Sequence, residues 1–162
     1  MKQDLIFQRL HKIKDAVKTS LRNKGIVAPV KTARGLMLEN YEIVLEDAGY
    51  VVYNRIQERL YEHINYQQTA VLIANALALG KLVKDEWIIN DRSAGATDFD
   101  TKLYDLRLTN SIKNKDLFGM QHYRVRLVES KLKHKTHIGS INSAYSKLIT
   151  ALKSLDKSNK YS

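Results

Sequence analysis

Two histidines, His134 and His137, stand three residues apart in the run Lys131-Leu132-Lys133-His134-Lys135-Thr136-His137. Imidazoles at that spacing can share a metal ion, but a metal site needs further ligands and a supporting shell of hydrogen bonds. The neighbours here are lysines, whose charge opposes a cation. The run therefore reads as an anion contact, and no metal is expected. Asp98, Asp100 and Asp105, with Asp85, Glu86 and Asp91 before them, form the main acidic group. Paired carboxylates can hold Mg²⁺ or act as acid and base. Asp98 and Asp100 also suit a helix N-terminus capped by Thr97, where orphan amides favour negative charge, and capping is the expectation. A Mg-dependent enzyme using the Asp91–Asp105 region is kept as the second alternative. Cysteine is absent, which excludes a thiol nucleophile, a Cys-zinc site and a disulfide framework. There is no Gly-rich phosphate loop, Gly-x-Ser-x-Gly elbow or His-Glu-x-x-His. The chain reads as non-enzymatic, with no catalytic residue and no cofactor.

Basic side chains carry more of the pattern. Arg124 with Lys131, and Arg126 with Lys133, are each seven apart, so each pair shares one face of a helix. Lys135 follows, and Tyr123 stands beside them where a ring could stack on a base. These six residues are the candidate nucleic-acid contacts, made to the phosphate backbone of DNA or RNA with little sequence preference. The net charge is +10, unevenly spread. Residues 1–40 hold nine Lys/Arg against three Asp/Glu, residues 41–100 five against ten, and residues 101–162 thirteen against four. Basic ends can release counterions from a polyanion. They can equally pair with the acidic middle of a neighbouring copy.

The elements that must position these groups follow from periodicity. At 162 residues the chain suits one domain with a core of its own. Leu5, Ile6, Leu10, Ile13, Val17 and Leu21 recur at helical spacing, predicting a basic amphipathic helix within residues 1–25 that Gly25 stops. From 36 to 63 the period changes to two, around Tyr41, Ile43, Leu45 and Tyr50 to Tyr53, predicting a small antiparallel β-meander. Residues 59–63 are ambiguous between a strand and a helical turn. Asn65, with Gln68 three residues on, marks the start of a helix that is apolar nearly all round to Leu79, hence buried. Core helices fill 65–112, with a break at Ser93-Ala94-Gly95 and a new start at Thr97. That second helix carries Phe99, Leu103 and Leu106 on its apolar side.

Residues 114–156 read as a basic helical hairpin. Its first arm is 115–135, with Leu117, Met120, Tyr123, Leu127, Val128 and Leu132 apolar. Its second carries the seam Ile138, Ile141, Tyr145, Leu148, Leu152 and Leu155, which at 3/4 spacing is an intramolecular or oligomer interface. Residues 157–162 read as a frayed tail. The fold class is α+β, predominantly helical, with the meander packed on a buried helix and a C-terminal antiparallel helical hairpin. No apolar run approaches the ~20 residues of a membrane span. Met1-Lys2-Gln3-Asp4 leads into an amphipathic segment with no signal-peptide core, so a cytoplasmic location is expected and no membrane partner.

Two stretches carry a resemblance. Leu5-Ile6-Phe7-Gln8-Arg9-Leu10-His11-Lys12-Ile13-Lys14-Asp15-Ala16-Val17-Lys18 and Ile64-Asn65-Tyr66-Gln67-Gln68-Thr69-Ala70-Val71-Leu72-Ile73-Ala74-Asn75-Ala76-Leu77-Ala78-Leu79-Gly80, with the hairpin between them, are similar to small basic proteins of T4-like tailed phages of marine bacteria. The resemblance implies a setting in host cytoplasm or virion, and work in DNA handling, packaging or particle assembly. It carries over no functional residue. The leading expectation is a nucleic-acid-associated phage protein. The alternative is a structural or assembly protein that oligomerises, or docks onto other phage proteins, through the Ile138–Leu155 seam and its opposed charges.

Overall fold

A computed structural model describes residues 19–161, with side chains from Thr19 to Thr150. Most of the N-terminal helix expected from the sequence lies outside the described residues. Its end, helical residues 19–23 (α1), stops where Gly25 takes φ +85°. Ile26 N–H donates to Leu21 O at 2.9 Å and Gly25 N–H to Arg22 O at 3.0 Å, the paired bonds of a Schellman stop.

Five strands follow: β1 (Val30–Lys31), β2 (Gly35–Leu38), β3 (Tyr41–Glu46), β4 (Gly49–Tyr53) and β5 (Arg59–Ile64). They form one antiparallel sheet in sequence order, β1-β2-β3-β4-β5, so the meander is present and 59–63 is a strand. Short turns allow this. Glu39 sits at φ 55° between β2 and β3, and Asn54 accepts N–H bonds from Ile56 and Glu58 between β4 and β5. Gly35 is required by contact rather than by its dihedral angles, because a Cβ there would lie 2.1 Å from Ile43 O.

Alternation gives the sheet one apolar face. Leu36, Leu38, Ile43, Val52 and Ile64 face α2 (Gln67–Ala78), whose Ala70, Val71, Leu72, Ile73 and Ala74 are all buried. The other side of α2 is closed by Trp87, Ile88, Ile141, Ala144, Tyr145 and Leu148, so this helix is a middle layer, as its all-round apolarity predicts. Asn75, in the middle of that helix, is satisfied by backbone. It accepts from Val27 N–H at 2.8 Å and donates to Gly25 O at 3.0 Å, tying the exit of α1 to the core.

The start of α2 differs from the expected capping box. Its N-cap residue is Tyr66, with no side-chain cap. Asn65 N–H donates instead to Asp91 Oδ2 at 2.8 Å, and Tyr66 N–H to Asp91 Oδ1 at 3.0 Å. The cap comes from another helix, which local spacing cannot reveal.

The larger differences concern the helices. α3 (Asp85–Lys113) is one helix of 29 residues, with no break at Ser93-Ala94-Gly95 and no cap at Thr97. Thr97 Oγ1 bonds back to Ser93 O and Ala94 O within the helix, as threonine can. Gly95 is there for space: a Cβ would lie 2.2 Å from Asn65 Nδ2. The acidic residues that do occupy a first turn are Asp85 and Glu86. α4 (Leu117–Tyr161) is likewise a single helix, running through Gly139 and through 157–161, where a frayed tail was expected. A helical hairpin is present, but its arms are α3 and α4 rather than two halves divided at Gly139. Asn114, Lys115 and Asp116 turn it. Lys115 takes φ 56°, and Asp116 Oδ1 accepts Gly119 N–H at 3.0 Å, capping α4.

Gly139 has nothing within 4 Å of where its Cβ would stand, so a side chain there meets no obstacle. Gly139→Ala should stabilise the protein by about 0.5–1 kcal/mol by removing glycine's backbone entropy. A higher urea midpoint with an unchanged slope is the expected readout; no rise would place a bend there.

Candidate functional site

Among the described residues it is the base of the hairpin that joins the core, through Trp87 and Ile88 on α3 and Ile141, Ala144, Tyr145 and Leu148 on α4. Beyond it the two helices form an arm. Their contact face repeats at steps of three and four: Ala94, Thr97, Thr101, Tyr104, Leu108 and Ser111 on α3, against Tyr123, Leu127, Ser130 and His134 on α4. It is unusually polar. Thr101 Oγ1 and Ser130 Oγ are 2.8 Å apart, and Ser130 Oγ donates to Thr97 O at 3.0 Å. His134 Nδ1 lies 3.0 Å from Ala94 O, so that nitrogen carries the proton. Tyr66 OH donates to the same carbonyl at 3.3 Å. Burial, with Asp98 and Asp91 nearby, pushes the Tyr66 phenol up to about 12, so it remains a donor at neutral pH. Sequence reading found Tyr123 and Leu127 of this seam and missed the rest, because small polar residues leave no apolar stripe.

The candidate phosphate contacts all lie on the arm. Arg124, Arg126, Lys131, Lys133 and Lys135 are exposed. At about 100° per residue, Arg124, Lys131 and Lys135 fall within about 40° of one another, while Arg126 and Lys133 lie on the opposite flank. The structure therefore gathers three of the five and separates two. Arg126 is also partly neutralised by Glu129 at 3.6 Å, whereas Arg124, Lys131, Lys133 and Lys135 form no ion pair among the described residues. Tyr123 does not offer a free ring. It stacks on Tyr104 at 6.4 Å, meets His122 edge-on at 5.0 Å, and lies under the Arg107 guanidinium at 5.9 Å. His134, read from sequence as part of an anion-contacting run, points into the hairpin seam.

The expected oligomer seam is largely internal. Ile141 and Leu148 belong to the core, with Tyr145 packed against them and Ile138 half-buried. The side chains of Leu152 and Leu155 lie outside the described ones.

The acidic group does not assemble into a centre. Asp91 is 2% exposed and engaged with backbone, and Asp98 pairs with Lys102 at 3.2 Å. Among the described residues no group of three His, Asp or Glu side chains is placed to hold a metal ion. No described helix is long and apolar enough to cross a membrane.

A second cluster, not singled out from sequence, covers the outer face of the sheet. Tyr53 OH donates to the Glu46 carboxylate, and Arg59 bridges Glu46 at 2.8 Å and Glu62 at 3.2 Å. Arg34 and Arg59 lie 5.0 and 5.7 Å from the Tyr53 ring centroid. The Tyr53 hydrogen bond is the largest cause holding the Glu46 carboxyl below its ordinary value, and it raises the Tyr53 phenol in turn. The groups satisfy one another above Val44 and Val51, which makes the cluster a cover for that face. No protein-family model, curated protein or solved structure matches this chain.

Proposed function

We propose that the protein is a non-enzymatic nucleic-acid-associated protein, contacting phosphate backbone through the Arg124–Lys131–Lys135 ridge of α4. The observation that carries this reading is that these three cations share one exposed flank with no ion-pair partner among the described residues. At 1.5 Å per residue the ridge spans about 16 Å, enough for successive backbone phosphates. A smooth helical ridge with no free aromatic ring predicts little base preference. The resemblance to proteins of tailed phages supplies a setting in which such contact serves DNA handling.

Three phosphate contacts predict a slope of log K against log salt of about −2.7, a loss of roughly 40-fold between ~50 and ~200 mM. Fluorescence anisotropy on labelled duplex reads this directly. Lys131→Glu with Lys135→Glu should flatten the slope by about two, and Lys133→Glu by less than half as much. Absence of binding at ~50 mM, or a slope indifferent to the Lys131/Lys135 pair, rules the reading out.

A further inference from the structure

Four rings meet in series near the tip of the arm. Tyr104 stacks on Tyr123 with centroids 6.4 Å apart, and Tyr123 meets His122 edge-on at 5.0 Å. His122 in turn lies parallel to Phe118, with 6.2 Å between centroids and 7° between planes. The inner pair is half-buried at the hairpin seam and the outer pair is exposed, Phe118 at 80%. Two guanidiniums flank the series. Arg107 reaches over the Tyr123 ring from α3, 5.9 Å from its centroid. Arg126 borders a shallow hollow of about 390 Å³ together with Phe118, Gln121, His122 and Glu129. At about 100° per residue His122 falls within about 40° of Arg126, on the flank of α4 away from the Arg124–Lys131–Lys135 ridge.

An exposed ring pair alone does not name its ligand, but its surroundings do. Rings open to solvent beside guanidiniums suit a single nucleic-acid strand, whose bases stack on the rings while the phosphates between them meet the cations. From 105 to 129 five Lys/Arg (Arg107, Lys113, Lys115, Arg124 and Arg126) stand against three Asp/Glu. Of those carboxylates, Asp116 is engaged in capping α4, and Asp105 lies about 160° round α3 from Arg107. Glu129, at the hollow, faces Arg126 at 3.6 Å; with Gln121 it also offers polar atoms to a base edge. Bases inside a duplex are already stacked on one another, so these rings select the unpaired form.

We propose that the tip of the arm binds single-stranded nucleic acid, stacking a base on the Phe118–His122 rings while Arg107 and Arg126 take the adjoining phosphates. This contact rests on the phosphate-binding reading for the class of its ligand, but it uses different residues on the opposite flank of α4. Every base has a face to stack, so sequence preference stays small here too.

Fluorescence anisotropy of the full chain with a labelled single strand of ~12 nucleotides, and with a duplex of equal length, tests this. Phe118→Ala should weaken single-strand binding about 10-fold and His122→Ala about 5-fold, with duplex affinity unchanged. The salt slope on the single strand should be the same for Phe118→Ala as for the parent between ~50 and ~200 mM, because stacking releases no counterions. Phe118→Trp should bind the single strand at least as well as the parent. Both sites are exposed, so circular dichroism should be unchanged. Single-strand affinity indifferent to both alanine variants overturns the proposal, as does an equal loss on duplex, or a Phe118→Trp variant as weak as Phe118→Ala. So does self-association that Phe118→Ala abolishes without touching single-strand affinity, which would mean a second copy covers the rings. Loss of duplex binding alone, with the single-strand results intact, overturns the ridge and supports the tip; no binding of either strand form overturns both.

Discussion

Asp91→Ala should destabilise the protein by about 3 kcal/mol, an effect that comes from hydrogen bonds rather than from apolar burial. Its two carboxylate oxygens receive the N–H groups of Asn65 and Tyr66, at the point where β5 hands over to α2. Hydrogen bonds to a charged group contribute about 1.5–3 kcal/mol, and a buried N–H left without a partner costs about 1–3 kcal/mol. Alanine removes both acceptors and leaves both donors; asparagine keeps one acceptor and should cost about half as much. Urea denaturation should show a lower midpoint with the slope preserved. Amide exchange at Asn65 and Tyr66 should accelerate more than at Ile73. A loss below about 1 kcal/mol would mean that water takes over the cap without penalty.

Ile73→Ala should cost about 3–4 kcal/mol, the usual range for emptying a fully enclosed aliphatic site. Ile73 is 0% exposed, on a helix with the sheet on one side and the hairpin base on the other, so neither layer can collapse into the cavity without losing contact with the other. Thermal unfolding should fall by roughly 10 °C for a chain of this length. Leu132→Ala is the informative comparison. The side chains are equally apolar, yet Leu132 is 61% exposed, and in dilute protein its removal should change stability by less than about 0.5 kcal/mol. A comparable loss at both positions would contradict the layering described above.

That contrast shows where the sequence is readable. The meander is legible because Tyr41, Ile43 and Leu45 alternate with Glu42, Val44 and Glu46, and α2 because it has no polar side for solvent. Fold class follows from these two facts and from the regular C-terminal third. Helix ends in the arm are not legible: Gly95 and Gly139 resemble stops, yet one makes room for Asn65 and the other lies inside a continuous helix. The seam of the arm is hidden for a second reason. Periodicity finds apolar residues, so it selected Phe99, Leu106, Leu117, Val128 and Leu132, which the structure leaves exposed. The face that joins the helices takes Tyr123 and Leu127 from the apolar positions, but adds Ala94, Thr97, Thr101, Ser130 and His134, which periodicity passes over. The candidate ridge was legible residue by residue, and the opposition of Arg124 to Arg126 follows from helical spacing alone; which flank the hairpin leaves open required the structure.

The order in which this chain can be assembled follows from its connections. Every strand pairs with the next in sequence, and α3 meets α4 across a turn of Asn114, Lys115 and Asp116. Ile141 and Leu148, by contrast, must return to α2 after the whole arm has been traversed. Left as a flexible loop, that excursion would carry a closure entropy growing with its length. Once α3 and α4 have zipped from the turn, the same residues arrive beside α2 on a rigid tether held by the Gly80–Lys84 link and by Asp91 at the start of α2. A contact distant in sequence thereby becomes local in time, and the speed of folding depends on a three-residue turn far from the core that it completes.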